Sequence, residues 1–371
     1  MQPSIPLFIF ASDRMRHRTL LNGIGISFFL GILAITGIQT MKPWLPEVTL
    51  EGKVTVVPPP HFSWKNWFQG SFQEQAELWL DEHLGLRGWF IKTDNQLNYW
   101  LFHEIHQHTD NRLIIGKENT LFEYSYIQDI LGMHYVTDEA LEERVRRVRT
   151  LQDRLQQQGI PFVFLISPSK ATYFAERIPP QLVEKTVDRY LPPNYDRVIP
   201  LLKKHGVNTV DGRAFLLTRK ANSPHPLFSK SGTHWTAYGS CLITNEVLQA
   251  VWEQTTSSQR EANCTNVHFS PVPKYDDRDL SDLTNLWRTE VFDQPLVYPK
   301  PVTSTPNTLR LLFIGDSFMW GILKNIREQR LAQTSDFYYY FQTHTLPDQS
   351  KQPVNKEPTE LAKAILSKNG V

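Results

Sequence analysis

Excess charge is missing from this chain: 39 basic residues face 38 acidic ones, a formal net charge of +1. Nucleic-acid binders concentrate basic charge, so no nucleic-acid partner is expected. Cysteine is scarce as well, with Cys241 and Cys264 the only two. Two are too few for a disulfide framework; they read either as one bridge in an oxidising compartment or as buried free thiols. There is no G-x-x-x-x-G-K-[ST] loop, and no G-x-G-x-x-G follows a strand pattern, so no nucleotide cofactor is called for. His103, His106 and His108, with Asp110, are metal-ligand residue types, but no second ligand pair or H-E-x-x-H frame accompanies them. They read as a polar helix end, and no metal is expected.

What the sequence does have begins at its front. Residues 19–41 carry no charge and are rich in Leu, Ile and Phe. At about 1.5 Å per residue such a run spans a hydrocarbon core of roughly 30 Å. Arg14, Arg16 and Arg18 precede it, whereas Lys42 is the one nearby base after it. The positive-inside rule then puts residues 1–19 in the cytoplasm, a signal anchor at 20–41, and the rest in the periplasm of a cell with an inner membrane. A cleaved signal peptide is the competing reading. Its apolar region is usually about 7–15 residues, shorter than this one, and Ala34-Ile35-Thr36 is a poor cleavage site.

Residues 42–63 are rich in proline and read as a linker. The aromatic residues of the stretch that follows, from Trp67 to Trp100, recur near helical spacing and read as core. Residues 112–123 suggest two short strands around a turn at 116–119. Residues 138–158 form the clearest amphipathic helix, with Leu141, Val145, Val148, Leu151 and Leu155 on one face. The runs 160–167 and 309–314 are nearly all apolar, as in parallel strands buried on both faces. Helices at 196–205 and 238–252 and a strand at 207–210 lie between them. This alternation predicts an α/β fold with a parallel sheet and helices on both faces, one domain over 64–371. Residues 254–308 lack a clear pattern and read as a long excursion. After the strand expected at 337–341 no further strand pattern is evident, which leaves a last sheet position unfilled.

In such folds, sites form beyond the carboxyl ends of the strands. Gly315-Asp316-Ser317-Phe318 directly follows the strand LRLLFI, so the Ser317 hydroxyl is placed at that edge beside backbone N–H groups able to hold an oxyanion. An ordinary turn and helix cap is the plainer reading of the same residues. Gly232-Thr233-His234-Trp235-Thr236 opens the helix at 238–252, and His234 is the residue type that removes a serine proton near neutral pH.

These two motifs resemble the paired motifs of the alginate O-acetyltransferase family, the AlgX/AlgJ-like branch of SGNH hydrolases, in which the histidine motif precedes the serine motif as it does here. Residues 64–87, Ile114-Ile115-Gly116-Lys117 with Leu121-Phe122, and Ser167-Pro168-Ser169-Lys170-Ala171-Thr172 are similar too. The resemblance runs over about residues 62–340. It implies an SGNH-like fold and an O-acetyltransferase that acetylates a cell-surface or exported polysaccharide through an acetyl-serine intermediate. It also implies Ser317 as nucleophile, His234 as general base, no cofactor, and a membrane-bound MBOAT-type partner that supplies acetyl groups.

One residue departs from the family pattern. Its histidine motif is Asp-x-His-Trp, and Gly232 stands here in place of the aspartate that would orient the imidazole. Asp211, at the end of the strand 207–210, is the first candidate to replace it, with a helix cap as its alternative role. A Ser–His dyad without a carboxylate is the second explanation. The acidic loop Asp276-Asp277-Arg278-Asp279-Leu280-Ser281-Asp282 reads as a solvated turn, with a cation site or the missing acid as alternatives. Trp235 either stacks on a sugar or packs to hold its loop. An acetylesterase with the same residues, or an inactive polysaccharide-binding scaffold, are the competing functions.

Overall fold

The computed structural model describes residues 9–52, 57–105, 112–184, 191–255, 259–303, 305, 307–346 and 348–354. The chain forms two compact units: Met1–Leu101 with Asn285–Trp287, and Phe102–Thr284 with Arg288–Val371.

The first unit is helical. Helix α1 (Ile9–Met41) contains Leu21–Met41, of mean hydropathy 1.9, which is long and apolar enough to cross a membrane. Its apolar side chains, such as Phe28, Phe29 and Leu30, lie exposed. Three shorter helices follow: α2 (Trp64–Gln69), α3 (Ser71–His83) and α4 (Arg87–Phe102). Between α3 and α4 the Gly85 N–H donates to the Thr40 hydroxyl at 2.8 Å, which ties that turn to the last turn of α1. The aromatic band expected to be core is in large part exposed: Trp67, Phe68 and Trp100 are 43, 82 and 63% accessible.

The second unit is α/β. It opens with a hairpin, β1 (Leu113–Ile115) against β2 (Leu121–Glu123), and then α5 (Tyr124–Ile130). Helix α6 (Asp138–Gln156) starts at Thr137, whose hydroxyl accepts the Ala140 N–H, with Asp138 and Glu139 favourably placed at the positive end. It buries Leu141 and Val145. Strand β3 (Phe164–Ile166) is held to three residues between Pro161 and Pro168, which cannot donate to a ladder. Next come α7 (Lys170–Tyr173), α8 (Pro180–Glu184), α9 (Asn194–Lys204), β4 (Thr209–Asp211) and α10 (Gly212–Arg219). Val145, Leu202 and Val207 pack together between α6 and α9.

Helix α11 (Ala237–Trp252) is capped by Thr236, whose hydroxyl accepts the Gly239 N–H. The region expected as an excursion carries β5 (Val267–Ser270), the short helix α12 (Asp279–Leu283) and β6 (Leu296–Pro299), with β5 antiparallel to β6. Strand β7 (Arg310–Gly315) leads into α13 (Met319–Glu328) and then β8 (Thr334–Tyr339). Two strands that the sequence pattern does not announce follow: β9 (Thr343–Thr345) pairs antiparallel with β8, and β10 (Lys351–Pro353) pairs antiparallel with β9.

The parallel pairs are β3 with β4 and β7 with β8, the arrangement that strand–helix alternation predicts. They belong to separate hydrogen-bonded sheets, and the second neighbour of β8, strand β9, is antiparallel to it, so the sheet is neither continuous nor strictly parallel. The main core joins these pieces through side chains rather than ladders, with Phe122, Ile127, Phe228, Ile243, Ile322 and Phe337 at its centre. A disulfide joins Cys241 of α11 to Cys264, which resolves the alternative left open by the sequence.

Candidate active site

Two helices begin just after the two candidate residues. His234 lies two residues before the cap of α11, and Ser317 lies in the turn that leads from β7 into α13. The helices cross closely because α13 carries Gly321 at the contact. A Cβ there would come within 2.9 Å of the Ser240 Cβ and 3.0 Å of the Trp235 Nε1. Asn325 of α13 also donates to the Ser240 hydroxyl at 3.0 Å, a buried bond that fixes the helices lengthwise.

The crossing brings the His234 Nε2 to 2.8 Å from the Ser317 Oγ. With the serine hydroxyl donating, Nε2 is the acceptor and the ring proton resides on Nδ1, which is the tautomer a general base requires. Phe318 packs edge-on against both His234 and Trp235, at ring distances of 4.8 and 5.1 Å. Trp235 is 4% exposed and packs against Phe318 at the edge of the cleft over Ser317.

Asp211 is not brought to His234. Its carboxylate accepts the Ala214 N–H at 3.0 Å and the Tyr195 hydroxyl at 2.6 Å, the cap role that was its alternative. The carboxylate beside His234 is Asp279, with its Oδ2 3.6 Å from Nδ1. That separation is an ion-pair distance and too long for a hydrogen bond. Burial is the largest single influence on the His234 pKa and pulls it down. The carboxylate of Asp279, with those of Asp276 and Glu123, outweighs burial and leaves the imidazole above its ordinary value.

Lys170 explains why the sequence Ser-Pro-Ser-Lys matters. Its side chain is 2% exposed, and its Nζ donates to the Lys230 and Gly232 carbonyls at 2.7 Å each. Burial holds this ammonium well below the usual lysine range, against the opposing pull of Asp279 and Glu123. From the other side the Thr233 hydroxyl donates to Glu123 at 2.7 Å. The loop that presents His234 is therefore held from both β2 and α7.

A small, half-open cleft of about 50 Å³ lies over Ser317 and His234. Tyr275 and Tyr298 line it with Lys274 and Lys324, and the Lys324 Nζ lies 4.4 Å from the Tyr275 ring centre. Asp277 lies at its base, where burial pushes its carboxyl up to about 7 despite hydrogen bonds from Tyr298 and the Ala237 N–H. All of these except Lys324 lie between residues 254 and 308, where neither periodicity nor motif marked them. The acidic run 276–282 was the one visible signal. Of the possible metal ligands, His103 meets the Asn119 side chain at 3.2 Å. His106, His108 and Asp110 lie outside the described residues.

The model of the SGNH hydrolase-like domain of acetyltransferase AlgX matches residues 113–308. The chain belongs to this family. His234 and Asp279 fall inside the matched stretch, and Ser317 lies just beyond it. With the family shown, the fold is SGNH-like and the chain is a member of an acyltransferase family. No curated protein matches the chain.

Solved structures that resemble it include the O-acetyltransferase domain of Pseudomonas putida AlgJ, 19% identical over 62% of this chain and 79% of that one, with a TM-score of 0.41. Pseudomonas aeruginosa AlgX is 15% identical, covering 61% of this chain and 55% of that one, at a TM-score of 0.39. Bacillus cereus PatB1 is 12% identical, covering 62% and 87%, at 0.40. Family membership rests on the match over residues 113–308 and not on these three.

Proposed function

We propose that this family member is a polysaccharide O-acetyltransferase that works through an acetyl-serine at Ser317. The observation that carries the reading is the 2.8 Å contact between the Ser317 Oγ and the His234 Nε2 at the floor of an open cleft. Ser317 Oγ attacks the carbonyl carbon of an acetyl donor while its proton passes to Nε2. The leaving group of the donor departs with that proton. A sugar hydroxyl then gives its proton to Nε2 and attacks the acetyl-serine, and the proton returns to Ser317 Oγ. Backbone N–H groups near Ser317 hold the negative charge that develops on the carbonyl oxygen.

In this account residues 20–41 anchor the chain, 42–63 form the linker, and the domain over 64–371 works outside the cytoplasm. The Cys241–Cys264 disulfide supports that compartment, since such bridges persist in oxidising surroundings. Acetyl coenzyme A is not at hand there, so an MBOAT-type membrane partner would deliver the acetyl group.

The test supplies the full-length protein, in detergent micelles, with an acetyl-ester donor and mixed oligosaccharides, and follows the acetyl group by mass spectrometry. Acetylated sugar that disappears in Ser317→Ala and His234→Ala is the expected result. Free acetate with no acetylated sugar would make the protein an acetylesterase. Neither product above the background of the variants would refute acyl chemistry at this site.

A further inference from the structure

The aspartate missing two positions before His234 cannot be restored at that position without moving a neighbouring loop. A Cβ on Gly232 would lie 2.4 Å from the Asp276 carbonyl oxygen and 2.7 and 2.8 Å from the Asp277 carbonyl carbon and Cα. These are backbone atoms with no flexible end to swing away. The space an acidic side chain would need is therefore filled by the chain at 276–277. That same chain, two residues on, delivers Asp279.

The approach of the two loops is built at several points. Ser231 donates through its hydroxyl to the Asp277 carbonyl at 2.8 Å, and the Ser281 N–H donates to the Ser231 carbonyl at 3.0 Å. The Thr233 N–H donates to the Asp279 Oδ1 at 2.8 Å. One oxygen of Asp279 is thus fixed to the backbone next to His234, and the other faces the ring. Among the described residues the buried Nδ1 has no hydrogen-bond partner. Asp279 Oδ2 is 3.6 Å away, and an inward movement of less than an ångström makes a hydrogen bond. Catalytic hydrogen bonds of this kind are commonly long before substrate binds and tighten afterwards.

The geometry points to Asp279 as the positioning residue of His234, supplied by the loop that occupies the space left open at Gly232. The acid has moved from the histidine's own strand of chain to a neighbouring loop, and glycine is the residue that lets this loop approach. The assignment rests on the reading of Ser317 and His234 as an acyl-transfer pair. Around the imidazole the other charged groups are Asp276 on the same loop, Glu123 on β2, Lys170 of α7 below, and Lys274 and Lys324 at the cleft.

The test compares the full-length wild type with Asp279→Asn, Asp279→Glu and Asp211→Asn. It measures rates against pH, and the His234 titration by NMR with labelled histidine. Asp279→Asn should lower kcat roughly 10²- to 10⁴-fold with little change in KM. It should also lower the imidazole pKa, which moves the acid limb of the rate profile to lower pH. Asp279→Glu should recover part of both. Asp211→Asn should leave the His234 titration where it is. A His234 titration that does not move in Asp279→Asn overturns the assignment, whether or not the protein turns over. If turnover depends on Ser317 and His234 but Asp279→Asn keeps the wild-type rate and limb, the acyl-transfer reading stands and the Asp279 assignment falls.

Discussion

At the scale of single residues, the site is a set of charges held out of water by one another. Asp277 is the clearest case. Its carboxyl, with a pKa near 7, would titrate near 3.9 in an unfolded chain. Between those values the folded protein holds a proton that the unfolded chain has lost, so this group makes stability fall as pH rises from about 4 to 7. Unfolding by urea at pH 5, 6 and 7 should show that slope in the wild type and a flatter one in Asp277→Asn. An equal slope in both would place the carboxyl in water. Ser317 and His234 were legible in the sequence because each stands beside a local marker, the end of an apolar strand or the start of a helix. Asp279 was not singled out, because its tie to Thr233 and its approach to His234 depend on two loops meeting across the fold. Gly232 was visible as a departure, yet its reason lies in the backbone of Asp276 and Asp277.

At the scale of elements, the Ser–His distance is set by the crossing of α11 and α13. Gly321→Val is expected to push α13 away from Ser240 and Trp235, at a cost of about 1–3 kcal/mol for overpacking. The same displacement should open the 2.8 Å contact, and a misplacement of about 1 Å lowers the rate on the order of 100-fold. A rate loss far exceeding the loss of folded protein, measured by turnover and by thermal unfolding together, is the predicted pattern. Unchanged turnover would mean that the crossing does not control the pair. Helix α6 was readable from its apolar stripe, its acidic first turn and Gly159 beyond its end. Strands β9 and β10 were not, since Thr343-His344-Thr345 and Lys351-Gln352-Pro353 have no apolar alternation and form by pairing along an existing edge.

For the whole molecule, an α/β class followed from the apolar runs before Pro168 and Gly315, but the continuity of the sheet did not. Strand length and pairing are tertiary outcomes, and the second unit joins its short ladders through a shared side-chain core. The disulfide adds a covalent tie across that core, with 23 residues of sequence separation. Closing a loop of that size stabilises a fold by about 3 kcal/mol. Reduction with a strong thiol should lower the unfolding midpoint accordingly, and Cys241→Ala with Cys264→Ala should lose the sensitivity to reductant. A midpoint indifferent to reductant in the wild type would mean that the two cysteines are not paired in solution.

In the proposed reaction Ser317 carries the acetyl group in transit. Full-length protein mixed with an acetyl-ester donor and no acceptor, quenched in acid and digested, should yield the Ser317 peptide heavier by one acetyl group. His234→Ala should leave that peptide unmodified. An acetyl group on another residue, or none on Ser317 while acetylated sugar still forms, would exclude Ser317 as the carrier.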